Sequence, residues 1–199
     1  MIKVDKKSAI KIFERELNFI RDSLKNSENP FHFFYFTTIN NKKPENRTVV
    51  LRDLKLDPIR LFFNTDFRSN KVNELKKNQL CSALFYDNKR RIQLRLNCEA
   101  NIHKNNKLAK TIWDKTPLQS RKCYMAPYAP GVHLKQWEPN LPKKYIDCDP
   151  EKKDSELGYK NFSVIELLIK SFEIIELHYD GHIRFKLEND FKEVEFLSS

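Results

Sequence analysis

Glycine is scarce: the chain has three in 199 residues. Gly131, Gly158 and Gly181 cannot form a G-x-G-x-x-G dinucleotide loop or a P-loop, so neither of those phosphate cradles is available. Cys81, Cys98, Cys123 and Cys148 are far apart and include no Cys-x-x-Cys pair. The five histidines are scattered as well. His178 and His182 are four apart, but they flank a predicted turn and not a helical face, so no metal site is expected. No apolar run approaches ~18 residues, which predicts no membrane-spanning helix and no membrane partner. Without a signal-peptide pattern, the expected location is cytoplasmic, with the thiols reduced.

What is present is a core-forming chain. Hydrophobic residues make up 40% of it, fifteen of them Phe, and charged residues make up 32%. A single domain is expected, burying roughly 70% of its unfolded surface. The net charge is +10. It is uneven: residues 161–199 hold four Lys/Arg and eight Asp/Glu, a net of −4, so the remainder carries +14. Such an excess suits nucleic acid, an anionic membrane surface or a phosphorylated ligand. An AT-rich coding bias also produces abundant Lys, Asn, Ile and Phe, so charge alone selects none of them.

Periodicity divides the chain. Ile10, Phe13, Leu17, Ile20 and Leu24 recur at three and four, predicting a helix over Asp5 to Leu24, capped by Asp5 or Ser8. Aromatic and Thr content predicts a strand over Phe31 to Ile39, then a polar turn over Asn40 to Asn46. Leu80 to Tyr86 and Ile92 to Ile102 read as a hairpin turned at Asp87-Asn88-Lys89. In its second strand Ile92, Leu94 and Leu96 share one face, and Gln93, Arg95 and Asn97 the other. Asn105 to Lys115 reads as a helix stopped at Thr116-Pro117. Tyr124 to Tyr159 is rich in Pro and Lys and reads as an irregular surface excursion. Strands are predicted over Asn161 to Ile169, Phe172 to Tyr179, His182 to Leu187 and Phe191 to Leu197, with a hairpin turn at Asp180-Gly181. Seven or eight short strands joined mostly by hairpins argue for an antiparallel barrel.

The most informative stretch is Arg47 to Lys71. Arg47 to Leu56 reads as a strand, Asp57-Pro58 as a turn, and Ile59 to Thr65 as a second strand. A short helix follows from about Arg68, with Thr65, Asp66 and Ser69 as candidate caps. Basic side chains beside a helix N-terminus suit a phosphate, because free N–H groups, the helix dipole and cationic donors act together. Arg47 and Arg52 are separated by an odd number, so strict alternation puts them on opposite faces unless the strand bulges or ends between them.

This stretch resembles the pyridoxamine 5'-phosphate oxidase-like family of FMN-binding split barrels. The resemblance rests on Arg47-Thr48-Val49-Val50-Leu51-Arg52, Phe63-Asn64-Thr65, Ser69-Asn70-Lys71, Leu84-Phe85-Tyr86 and Gln93, in that order and with matching gaps. It implies a mainly β (α+β) fold, a split antiparallel Greek-key β-barrel with flanking helices. The segments are an N-terminal helix over 1–25, an FMN-binding core over 31–121, the excursion over 124–160 and closing strands over 161–199, all one domain.

The resemblance also implies FMN as cofactor and a homodimer with FMN at the subunit interface. Arg47, Arg52, Ser69 and Lys71 are then expected at the FMN phosphate, with Thr65 near it. Thr48, Val49, Val50 and Leu51 are expected at the flavin edge, and Gln93 hydrogen-bonded to the flavin. Asn64 and Asn70 occupy positions where the family often has Tyr and Arg. Substrate contacts are expected at Ser120, Arg121 and Arg184. There the sequence departs from true pyridoxamine 5'-phosphate oxidases: Ile112 and Thr116 stand for Tyr and Arg, and Lys186 and Glu188 for His and Arg. Trp113, Ser120-Arg121 and Pro130-Gly131 are more similar to a less characterised branch. The implied function is an FMN-dependent oxidoreductase on a small molecule, with pyridoxamine or pyridoxine phosphate one candidate substrate. The alternative is a non-enzymatic flavin- or haem-related binding protein on the same barrel. Catalytic residues are not assigned, because the cofactor carries the electrons. Nucleic acid is a third and lesser reading, resting only on charge.

Overall fold

The computed structural model describes residues 4–188 and 190–199. Its backbone forms helices α1 (Lys6–Ser23), α2 (Asn70–Lys77), α3 (Lys107–Lys115), α4 (Leu118–Lys122) and α5 (Lys152–Ser155). The strands are β1 (Phe33–Asn40), β2 (Lys43–Val50), β3 (Asp53–Leu56), β4 (Ile59–Asp66), β5 (Leu80–Asp87), β6 (Ile92–His103), β7 (Phe162–Glu176), β8 (Ile183–Glu188) and β9 (Val194–Phe196). They hydrogen-bond in the order β2-β1-β5-β6-β7-β4-β3, with β8 on β7 and β9 on β8. The pairs β1·β2, β1·β5, β3·β4, β5·β6, β7·β8 and β8·β9 are antiparallel. Among the described residues no helix is long and apolar enough to cross a membrane.

The chain divides into two compact units, the first comprising 1–63, 78–101 and 166–199, the second 64–77 and 102–165. In the first, Phe34, Phe36, Phe63 and Phe85 are buried and meet ring to ring. Helix α1 begins at Asp5, whose carboxylate accepts the Ser8 amide. It buries Phe13, Leu17 and Ile20, as its apolar stripe predicts. Phe13 meets the Phe172 ring edge-on at 5.1 Å. Fully buried Glu16 accepts two hydrogen bonds from Arg90, at 3.0 and 2.8 Å, so the ion pair ties α1 to the β5–β6 hairpin.

Several boundaries differ from the sequence expectation. The turn expected over Asn40 to Asn46 is only Asn41-Lys42, both at positive φ, and β2 already starts at Lys43. Pro44 is tolerated within β2 because that strand ends the sheet order. Arg47 to Leu56 is two strands. The Leu51 amide bonds the His32 carbonyl and the Arg52 amide bonds the Phe62 carbonyl, so the backbone changes partner between these neighbours. This switch breaks the alternation that set Arg47 and Arg52 on opposite faces. The two strands expected over Asn161 to Tyr179 are one, the 15-residue β7. Only Val194–Phe196 of the last predicted strand pairs, and the turn before β8 falls at Tyr179-Asp180.

The second unit is organised around Trp113, which is fully buried. The rings of Tyr124, Tyr159 and Phe162 lie 5.1–5.9 Å from it. Gly158 packs tightly here, since a Cβ would lie 3.2 Å from both the Trp113 ring and the Met125 side chain. The stretch expected to be irregular contains α5 and short helical turns at Cys123–Met125, Lys143–Tyr145 and Glu156–Asn161.

Candidate functional site

The second unit builds a cluster of polar donors where β4 passes into α2. The Thr65 hydroxyl lies 3.3 Å from the Ser69 hydroxyl, and the Lys71 ammonium donates to Thr65 Oγ1 at 3.1 Å. Thr65 and Ser69 are buried, and Lys71 is half-buried. The turn between β4 and α2 is held from several sides. Asp66 accepts from the Arg68 amide at 2.8 Å and takes the Arg68 guanidinium on both carboxylate oxygens. That ion pair raises the Arg68 pKa, the Asp66 hydrogen bond being the main cause. Arg68 also donates to the Ala126 carbonyl at 3.0 Å, so it fixes the turn and is not a freely available cation.

Three more contacts pin the same turn. Ser163 donates to the Thr65 carbonyl at 3.0 Å, the Phe67 amide donates to the Asn161 carbonyl at 2.7 Å, and the Asn161 amide donates to the Tyr124 carbonyl at 2.8 Å. Sequence reasoning missed Asn161 and Ser163 as supports, because their partners are set by tertiary packing. The Phe67 ring carries two ammonium groups, Lys104 at 3.5 Å and Lys76 at 4.2 Å, which adds positive potential beside the turn. Burial, and then repulsion from Lys76, lowers the Lys104 pKa.

Asn64 precedes Thr65 in β4. Its Oδ1 is buried and has no hydrogen-bond partner among the described residues. A buried acceptor left alone is costly, which marks it as waiting for a donor. A cavity of about 320 Å³ opens beside Asn64 and Thr65, with Tyr124, Pro130 and Asn140 on its other walls. Asn70, the first residue of α2, is exposed, and its amide nitrogen lies 3.7 Å from the position a Cβ would take on Gly131. Gly131 sits at φ +85°, where glycine is favoured.

The other predicted residues have distinct settings. Within the first unit, Arg47 is half-buried, over the Phe36 ring at 5.8 Å and donating to the Thr38 hydroxyl. Thr48 is exposed, Val49 and Val50 are half-buried, Leu51 is buried and Arg52 is exposed. Gln93 is half-buried on the face of β6 opposite Ile92, Leu94 and Leu96, as the alternation predicts. Arg184 is committed to Glu173 at 2.8 Å and to the Ser198 carbonyl.

In the second unit, Ser120 is half-buried on α4. Arg121, expected at the substrate, is held within the unit. It is 2% exposed, and all five guanidinium donors are engaged, by the Trp113, Asp114 and Thr116 carbonyls, Ser155 Oγ and Glu156. It closes the C-terminal end of α3 and has no donor left for a ligand. Among the described residues no group of three or more His, Cys, Asp or Glu could hold a metal ion.

Residues 15–104 match the family model described as pyridoxamine 5'-phosphate oxidase, FMN-binding domain. Over this stretch, which is under half of the chain, the sequence is similar to that family. Pyridoxine/pyridoxamine 5'-phosphate oxidase 2 of Arabidopsis thaliana is 34% identical over 98 residues, covering 46% of this chain and 49% of that protein. The match therefore spans about half of the curated relative's length.

Solved structures show the family fold over most of the chain. A pyridoxamine 5'-phosphate oxidase-related, FMN binding protein from Nostoc punctiforme has a TM-score of 0.69 at 21% identity, covering 92% of this chain and 96% of its own. PhzG from Burkholderia lata, solved with tetrahydrophenazine-1-carboxylic acid, has a TM-score of 0.67 at 14% identity, covering 100% and 98%. These likenesses establish the architecture: a mostly antiparallel sheet with flanking helices, the split-barrel fold of the pyridoxamine 5'-phosphate oxidase-like family.

Proposed function

We propose that this chain binds FMN and works as an FMN-dependent oxidoreductase on a small molecule. The observation that carries the reading is the pairing of donors and acceptor where β4 passes into α2. Thr65, Ser69 and Lys71 offer two hydroxyls and an ammonium, which suit a phosphate. Asn64, which precedes Thr65 in β4, carries a buried Oδ1 that needs a donor. A phosphate ester carrying hydroxyl groups answers both requirements, and the ribityl phosphate of FMN is such a group. When bound, FMN supplies the hydride or electron transfer, and the protein's part is binding, orientation and electrostatics. Asn70 joins this group as a neutral donor. Arg47, Thr48 to Leu51, Arg52 and Gln93 are proposed FMN-binding residues of the first unit, on the strength of the resemblance.

Replacing Lys71 with Ala removes a charge-assisted bond of about 1.5–3 kcal/mol, so FMN affinity falls roughly ten- to hundredfold. Fluorescence titration of FMN into wild type and Lys71→Ala tests this, and equal affinities would remove Lys71 from the site.

The commitment of Arg121 and Arg184 to protein partners argues against a substrate phosphate held by those two residues. Pyridoxamine phosphate is accordingly not the favoured substrate. The same observation supports a second reading, a flavin-binding protein without turnover. Bound flavin that no nicotinamide donor or candidate substrate reduces would favour that reading over the oxidoreductase.

A homodimer is part of the proposal. Phe33 and Tyr35 on β1 and Tyr86 on β5 are 46%, 49% and 39% exposed. Tyr35 stands opposite Leu84 in the β1·β5 register, so these side chains form one apolar patch on a sheet face. An uncharged aromatic patch of this kind suits a second copy of the same surface about a two-fold axis.

A further inference from the structure

The β5–β6 hairpin places two free cysteines directly opposite each other. Cys81 and Cys98 are register partners, and each stands on the inward face, Cys81 with Ala83 and Phe85, Cys98 with Leu96 and Ala100. The thiol of Cys81 lies 3.6 Å from the Cys98 carbonyl oxygen. Two residues along the ladder, the Ala100 amide donates to the Gln79 carbonyl at 2.9 Å. Hydrogen-bonded and non-bonded pairs alternate along an antiparallel ladder, so Cys81 and Cys98 form a hydrogen-bonded pair, with Cα atoms about 5.5 Å apart. That separation falls inside the range of roughly 4.4–6.8 Å spanned by disulfides.

We propose that Cys81 and Cys98 are an oxidative modification site that closes to a reversible intramolecular disulfide. Access is asymmetric. Cys81 is partly exposed, whereas Cys98 is buried. Burial, and then the neighbouring Cys81 sulfur, pushes the Cys98 thiol well above its usual pKa, so Cys98 is the poorer first nucleophile. Cys81 therefore reacts first. Its thiolate attacks a hydroperoxide, the O–O bond breaks, and the sulfur becomes a sulfenic acid while an alcohol leaves. The Cys98 sulfur then attacks Cys81, the S–O bond breaks, and water departs with the Cys98 proton. In sum, two thiols and one hydroperoxide give one disulfide, one alcohol and one water. A dithiol reductant reverses it by exchange at the accessible Cys81 sulfur. The inference does not depend on the flavin reading.

The test uses the full chain carrying Cys123→Ser and Cys148→Ser, which removes the two exposed thiols. The protein is treated with tert-butyl hydroperoxide, alkylated under denaturing conditions and digested. The expected result is a linked pair of peptides, lighter by two hydrogen atoms than the two thiol peptides, and lost after dithiothreitol. Introducing Cys81→Ala or Cys98→Ala separately should abolish the link. Full alkylation of both cysteines after oxidation would overturn the proposal. So would over-oxidation of Cys81 with Cys98 left free, or a link formed only between chains.

Discussion

Replacing Arg121 with Ala should cost the protein stability, not ligand affinity. Its guanidinium is 2% exposed and donates to three backbone carbonyls, a hydroxyl and the Glu156 carboxylate. It also lies over the Trp113 ring at 4.6 Å. Removing one member of a buried ion pair costs about 3–5 kcal/mol, because the other member is left unpaired. Here Glu156 has a side chain 40% exposed and can take up water, which moves the cost to the lower end, about 3 kcal/mol. The Trp113, Asp114 and Thr116 carbonyls lose their Arg121 partner in the variant, each a share of that figure. In a chain of this size such a loss lowers the melting temperature by roughly 6–12 °C. Thermal unfolding followed by circular dichroism measures it, and FMN titration of the folded variant measures the ligand side. An Arg121→Ala variant that melts with the wild type and loses FMN would refute this, since the guanidinium would then serve the flavin.

Two further outcomes follow from the geometry. Burial pushes the Asp87 carboxyl up, but Arg90 and the amides of Lys89 and Arg90 outweigh it and hold the group below the usual carboxylate range. A depressed folded-state pKa stabilises above the unfolded value and is lost as pH falls through the folded one. The urea midpoint should therefore drop as pH falls below about 4, and more shallowly in Asp87→Asn; equal slopes would show that Asp87 does not contribute. On the patch of β1 and β5, Tyr35→Lys should shift the protein to monomer in sedimentation velocity, and a wild type that is itself monomeric would remove the homodimer.

The sequence carried some of this structure in its local patterns. The stripe of α1 and the alternation of β6 are both local signals, and both recur in the burial of Phe13, Leu17 and Ile20 and of Ile92, Leu94 and Leu96. The order of motifs from Arg47 to Gln93 was also enough to suggest the family. What was illegible depended on distant partners. The break between β2 and β3 comes from a change of backbone partner at Leu51-Arg52, which leaves no mark on the local apolar pattern. The partners of Arg121 were illegible because Ser155 lies 34 residues away, with Glu156 beside it. Ser163 supports Thr65 across 98 residues. The prolines between Tyr124 and Tyr159 hid a unit whose order comes from packing on Trp113.

The visible absorption spectrum of the purified protein, together with the mass of anything released by heating, tests FMN binding most directly. The expected result is a flavin spectrum, present on isolation or after adding FMN, and a released species with the mass of FMN. A colourless protein that takes up no added FMN would contradict it. The family fold would then stand, and the donors at Thr65, Ser69 and Lys71 would need another ligand.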